Sequence, residues 1–387
     1  MDEPRDEPRR IGRGGILLPF KLLGIPVRLD VSFLLVLPLL AYLIGSQLPE
    51  FNAQLREMAR VMDPELARRL DPGTAGGAPG WLLGLVAAVG LFASVVLHEL
   101  GHAVTARLYG VQTLEIRLWF LGGVAQFKDL PRRRGAEAIV AVAGPVTSVL
   151  LALFLWALLP RVALGATATT IIAYLAATNA MLAVFNLLPA IPLDGGRVLR
   201  SLLALFLPRL RATQVAVAVS AGIAALLGFY GVVSGQLFLI LLAFFVYEAG
   251  RSEAQAAALE HALAGQTAED LMTPAPQAVD PDMTLGQFVR LRHYGRHAGY
   301  PVADNAGRLL GFAFIADAVA ALDEQPEDAT VRTVLREADV IRPGASGVEV
   351  LTALANSELG RLCVTDPTGR LVGIVGKTDV IAALRRG

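Results

Sequence analysis

The sequence predicts a multi-pass α-helical membrane protein joined to a soluble α/β module. Three observations carry that prediction. The 387 residues are 54% hydrophobic and only 18% charged, whereas a soluble domain carries about 25% charged residues. The deficit is uneven: residues 28–250 are strongly apolar, and 251–387 have the composition of a soluble α/β domain. The apolar part also breaks into about six segments, 28–47, 81–109, 135–159, 168–188, 212–233 and 236–250. Each is near the roughly 20 residues that a membrane-crossing helix needs. The last is short and can close on its neighbour as a tight hairpin.

Taken in order, residues 1–27 read as a polar tail, opening MDEPRDEPRRIGRGG. No A-x-A cleavage site precedes the first span, so it reads as a retained anchor and not a signal peptide. Basic residues then set the orientation. The tail has Arg5, Arg9, Arg10, Arg13, Lys21 and Arg28. The loop after the second span has Arg117, Lys128, Arg132, Arg133 and Arg134, and the loop after the fourth has Arg197, Arg200, Arg209 and Arg211. These regions alternate correctly to share the cytoplasmic side of a cell membrane, and six spans return the soluble module to that side. On the opposite side, Phe51, Leu55, Met58, Met62, Leu66 and Leu70 recur at helical spacing in the loop 48–80. A short amphipathic helix is expected there, as a packed connector or a filter over the membrane domain, ending in the loop DPGTAGGAPG. Zero net charge gives no case for nucleic acid. One cysteine, Cys363, excludes an internal disulfide and fits a reducing compartment.

The second span holds the most informative residues, His98-Glu99-Leu100-Gly101-His102. Ionisable groups cost on the order of 2.5–3.5 kcal/mol each at mid-membrane on insertion scales, so they are not placed there casually. Two histidines four apart lie on one helix face, one turn apart. That spacing suits two nitrogens on one zinc ion, with Glu99 beside them as a base for water. From Trp81, a natural interface anchor, to His98 is 17 residues, or about 25 Å of helix. The histidines therefore belong in the inner leaflet.

Zinc needs a third protein ligand. The other histidines, His261, His293 and His297, all lie in the soluble part. Gly295 between His293 and His297 argues against a rigid helical metal site there. A carboxylate is expected instead, and Asn186-Leu-Leu-Pro-Ala-Ile-Pro-Leu-Asp194-Gly-Gly-Arg supplies one. Its prolines stop the helix before Asp194, and Gly195 and Gly196 permit close backbone approach. Asp194 can alternatively cap a helix starting near Arg197. Asn186, polar and on the same segment, reads equally as an oxyanion donor or as a structural hydrogen bonder.

These residues resemble the site-2 protease family of intramembrane zinc metalloproteases, through HELGH at 98–102 and NLLPAIPLDGG at 186–196, with LGGVAQF at 121–127 and AGPVTS at 143–148. The resemblance covers the whole membrane region. It implies that His98, His102 and Asp194 bind one Zn2+ and that Glu99 is the catalytic base. It also implies cleavage of transmembrane helices of membrane-tethered regulators, within the lipid bilayer. The Gly122-Gly123 segment resembles the family's membrane-associated β-hairpin, thought to pair with an unwound substrate strand; an ordinary turn is the plainer reading. Ala143-Gly144-Pro145 reads as close helix packing through small residues.

Residues 251–267 read as a helical linker. Two imperfect copies follow, about 271–322 and 330–384, each with apolar strand, turn, apolar strand and helix; the turns are VADNAGRLLGF and VTDPTGRLVGI. This resembles a tandem pair of cystathionine-β-synthase-type (CBS) domains. The resemblance implies an adenine nucleotide between the copies, with Asp317 and Asp379 on ribose hydroxyls, or a structural module that pairs two chains as a homodimer. Where such domains commonly have Thr or Ser three residues earlier, this chain has Phe314 and Gly376.

The function expected is an intramembrane zinc endopeptidase acting on single-span membrane proteins and modulated by its CBS pair. The alternatives are a zinc-binding transporter or channel with a regulatory module, and an inactive relative that binds helices without cutting. A permeation path needs polar groups on several helices through the membrane's depth; here they concentrate at one depth. Glu99 argues against the inactive relative, because zinc binding alone needs no base.

Overall fold

A computed structural model describes residues 15–70, 79–120, 122–127, 135–161, 165–291 and 297–384. His293, most of the loop 71–80 and the charged stretch 128–134 lie outside these. The chain divides into two compact units, Met1–Ala254 and Gln255–Gly387.

In the first unit, β1 (Ile16–Leu22) and β2 (Ile25–Leu29) form a hairpin. Its two-residue turn has Leu23 and Gly24 at positive φ, the geometry that matches strand twist. The sequence predicts a polar tail over 1–27, and the structure corrects this for residues 15–27. Ile25 and Val27 alternate inward and pack on Ala103 and Ile116, a period-2 signal hidden by the flanking charges. The hairpin joins β3 (Thr113–Trp119) and β4 (Gly122–Phe127) in a sheet of order β1-β2-β3-β4. Only the β2–β3 pairing is parallel. Gly122 and Gly123 pair with Trp119 and Leu118, so they are part of strand β4 and not merely its turn.

Helix α1 (Val31–Met62) starts at Asp30, whose carboxylate accepts from the Ser32 amide. It runs well beyond the expected end at 47, because its apolar period continues past Glu50. Asp63 caps the short α2 (Pro64–Arg69). Leu55, Ala59, Leu66 and Leu70 bury against Leu159 and Ala173. The amphipathic stretch is therefore the end of α1 together with the short α2, packed as a connector. Then come α3 (Gly80–Leu108), α4 (Ala136–Leu158), α5 (Ala166–Asn186), α6 (Asp194–Leu203), α7 (Arg209–Ser234) and α8 (Leu237–Ala262).

Among the described residues five helices are long and apolar enough to cross a membrane: α1, α3, α4, α5 and α7. The sixth expected segment, 236–250, is the start of α8. Its apolar run ends before Glu248, and the helix continues through polar residues. The membrane helices bury small side chains against each other, among them Ala87, Ala88, Ala173, Ala176 and Ala183. They turn large apolar ones outward, such as Leu35, Leu150, Phe154, Leu226 and Phe229. So many exposed apolar side chains suit hydrocarbon and not water. The chain is a multi-pass membrane protein.

The second unit contains the two copies. The first has α10 (Leu285–Arg290), β6 (Gly299–Ala303), β7 (Leu309–Phe314) and α11 (Ile315–Ala321). The second has β8 (Val340–Ile341), α12 (Gly347–Asn356), β9 (Arg361–Thr365), β10 (Leu371–Gly376) and α13 (Lys377–Leu384). A capping box opens α10 at Thr284 and α12 at Ser346. The two strand turns meet, Leu309 N–H donating to Gly369 and Leu371 N–H to Gly307, both at 3.0 Å. After α9 (Ala268–Leu271), the opening segment of the first copy, β5 (Thr273–Pro274), pairs with β10 of the second; Arg336, in the opening segment of the second copy, pairs with Phe312 of β7 in the first. Each leader thus extends the other copy's sheet, which a linear reading of the repeat does not show.

Candidate metal centre

Helix α3 places His98 and His102 on one inward face, 4% and 6% exposed. Asp194, 7% exposed, is brought opposite them by the start of α6. The two Nε2 atoms are 3.2 Å apart, and the Asp194 Oδ2 lies 3.2 Å from one and 3.3 Å from the other. Zinc bonds of about 2.0–2.1 Å in tetrahedral array put ligand atoms about 3.3 Å apart, so the spacing fits.

The rings are oriented from behind. His102 Nδ1 lies 2.8 Å from the Val140 carbonyl, which can only accept, so that nitrogen carries the proton. Its Nε2 then presents a lone pair to the centre. His98 Nδ1 lies 2.9 Å from Ser148 Oγ. Lone pairs and a carboxylate oxygen so converged repel one another unless a cation sits among them. His98, His102 and Asp194 could hold a metal ion.

Asp194 does not act as the cap of a helix starting near Arg197. The helix starts at Asp194 itself, with Leu193 in the capping position, and the carboxylate turns to the histidines. The preceding turn is pinned where Ser220 Oγ accepts from the Ile191 amide at 2.8 Å. A Cβ on Gly195 would come within 2.2 Å of the Leu187 carbonyl, which is why the turn and helix can nest this closely.

Glu99, next to His98 on α3, packs against β4. Its Oε2 accepts from the Ala125 amide at 2.9 Å. A Cβ at Gly123 would lie 2.8 Å from Glu99 Cγ, so glycine lets the strand cross the carboxylate. Asn186 is not joined to this group. Its amide nitrogen donates to the Leu182 carbonyl at 2.9 Å, and among the described residues no hydrogen bond links it to His98, His102 or Asp194.

Sequence reasoning missed the role of α4. A Cβ on Gly144 would fall 2.2 Å from His102 Nε2 and 2.6 Å from His98 Nε2. Gly144 therefore makes room for the imidazoles, which helix packing alone does not describe. Val140, Gly144 and Ser148 lie four apart on one face, and that period was the available signal.

In the second unit, Asp317 accepts from Nε and Nη2 of Arg336, each at 2.7 Å, and the guanidinium lies 5.3 Å from the Phe314 ring centre. Asp379 accepts from the Gly376 amide at 2.7 Å and from Thr273 Oγ1 at 3.2 Å. His297 packs edge-on against Tyr300.

A buried His-Glu-x-x-His helix facing an aspartate from a second helix defines a membrane metalloprotease. The chain matches the model of Peptidase family M50 over residues 86–166 and 161–229, and that of the CBS domain over 268–324 and 326–386. It is 30% identical over 365 residues to zinc metalloprotease MJ0392 of Methanocaldococcus jannaschii, covering 94% of this chain and 95% of that one. It is 32% identical over 331 residues to the Rip3 protein of Mycobacterium tuberculosis, covering 80% and 83%. Among solved structures it is similar to a site-2 protease from Methanocaldococcus jannaschii, at 30% identity and a TM-score of 0.42, covering 62% of this chain and 95% of that one. This chain belongs to Peptidase family M50, the site-2 proteases, and carries a tandem CBS pair.

Proposed function

We propose that the protein is an intramembrane zinc endopeptidase that cuts transmembrane segments of membrane-tethered regulatory proteins. The single observation that carries this reading is the convergence of His98, His102 and Asp194 with Glu99 held against the edge strand β4. A zinc ion on the three ligands would polarise the scissile carbonyl and acidify water. Glu99 takes the water proton and passes it to the leaving amide nitrogen. The Ala125 amide keeps its carboxylate aimed while it waits. The Val140 carbonyl holds His102 in the tautomer that leaves Nε2 free to bind.

Among the described residues β4 is an edge strand, which suits an extended substrate, because strand addition supplies main-chain hydrogen bonds to an unwound helix. Asn186 positions the substrate or the oxyanion only if it leaves Leu182, so its contribution is secondary. Among the described residues the buried ionisable side chains of the first unit are His98, His102, Asp194 and Arg200, drawn from α3 and the single short helix α6, which favours catalysis over transport.

The basic loops put the N-terminus and the CBS pair on the cytoplasmic side. The return to that side falls to α8, the second arm of a hairpin with α7, whose apolar run is residues 237–247, about 16 Å of helix. The CBS pair modulates cleavage. An adenine nucleotide is its expected ligand, with Asp379 better placed than Asp317, whose carboxylate Arg336 already occupies. A homodimer through the CBS pair belongs to the same reading.

The test is cleavage of a model single-span substrate in liposomes, wild type against Glu99→Gln. Loss of cutting by roughly 100-fold or more, the scale of general-base catalysis, with zinc retained supports the proposal. Equal cutting by both would sink Glu99 as the base.

A further inference from the structure

Arg200 is a full charge buried to 7% exposure in the first unit. It sits on α6, six residues after Asp194. Its guanidinium bonds Glu137 of α4 through Nε at 3.1 Å and through Nη2, and bonds Glu253 of α8 through Nη1. A buried guanidinium is tolerated when carboxylates satisfy its fork on more than one side. Here the two carboxylates come from two different helices.

Each of the three helices has a separate connection to the centre or beyond it. Helix α6 begins with Asp194. Helix α4 carries Glu137 three residues before Val140, whose carbonyl orients His102, and further along the same helix come Gly144 and Ser148. Ser201, next to Arg200, adds a second α4–α6 tie by accepting from the Ala138 amide at 3.2 Å. Helix α8 continues unbroken from Glu253 to Ala262, and so leads from the first unit into the second.

We infer that Arg200 is a positioning residue for the metal centre, setting the Asp194 carboxylate against His98 and His102 according to how α8 is seated. The inference rests on the reading that these three residues hold zinc. Sites of this kind work only when their groups are held within about 0.5 Å of the productive geometry, and a small slide of α6 on α4 exceeds that. Glu253 is the arm through which a change in α8 reaches the centre, and Glu137 is the arm that fixes α6 to the helix behind the imidazoles.

The experiment uses the full chain in detergent micelles: wild type, Arg200→Gln and Glu253→Gln. It reads zinc affinity by chelator competition, the visible spectrum of the Co2+-loaded protein, and Tm. Arg200→Gln is expected to weaken zinc about tenfold, the low end for residues that orient metal ligands, and to alter the Co2+ bands. Glu253→Gln should move both in the same direction by a smaller factor. A fall in Tm with zinc affinity and Co2+ bands unchanged would overturn the inference and leave Arg200 a purely structural ion pair. If Arg200→Gln does not fold, Glu253→Gln decides alone, because its side chain is 41% exposed and only one arm is lost. Unchanged zinc affinity in that variant overturns the inference. Zinc absent from wild type overturns the centre itself, and this inference with it.

Discussion

Burial serves opposite purposes in the two units. In the first, His98, His102 and Asp194 are buried and each meets a specific polar partner. In the second, Cys363 is buried among apolar strands, and the functional candidates Asp317 and Asp379 sit nearer the surface in ion pairs and helix-end hydrogen bonds. A polar group in a dry interior is costly unless partnered, and among the described residues nearly all the buried polar side chains belong to the membrane unit, where most are tied to a specific partner. The soluble unit is free to carry many charged residues, and most of its ion pairs stabilise it little.

This contrast predicts steeply unequal effects of small changes. Gly144→Ala adds one methyl where the two imidazoles sit, and it should cost at least about 100-fold in zinc affinity, the upper range for disturbing ligand orientation. Zinc affinity by chelator competition checks it, and near wild-type binding would mean that α4 can recede. Ser148→Ala removes one hydrogen-bond partner of His98 without adding bulk. It should cost about tenfold on the same assay, and an unchanged value would show that His98 is held by packing alone.

The smallest effect lies in the second unit. Burial pushes the Cys363 thiol up to about 12, so almost no thiolate exists at pH 8. Iodoacetamide should leave Cys363 unmodified in the native protein and label it once urea opens the module. Fast labelling of the native protein would show that its strands open readily, and would erase the contrast.

The same difference decides what could be read in advance. HELGH stands out because charged residues are scarce around it, and Asp194 because prolines and glycines mark where its helix begins. Val140 acts through a backbone carbonyl, which no side-chain pattern encodes. Gly144 was visible as a small residue, but its purpose depends on which helix faces it. The strands at 16–29 were hidden because Lys21 and Arg28 mask a short apolar alternation. The run of α1 past residue 47 was hidden because polar residues appear without any break in helical period. In the second unit the repeat is plain from its two turns. The exchange of leaders is not, because β5 and Arg336 pair across the repeat instead of within it.

The most direct test of the central claim is zinc-edge X-ray absorption on the purified full chain, wild type against Asp194→Asn. The account predicts one zinc per wild-type chain, bound by two imidazoles at about 2.0–2.1 Å with the remaining ligands oxygen, and severely weakened binding in Asp194→Asn. No zinc in the wild type, a sulfur ligand, or an identical zinc shell in both proteins would contradict it.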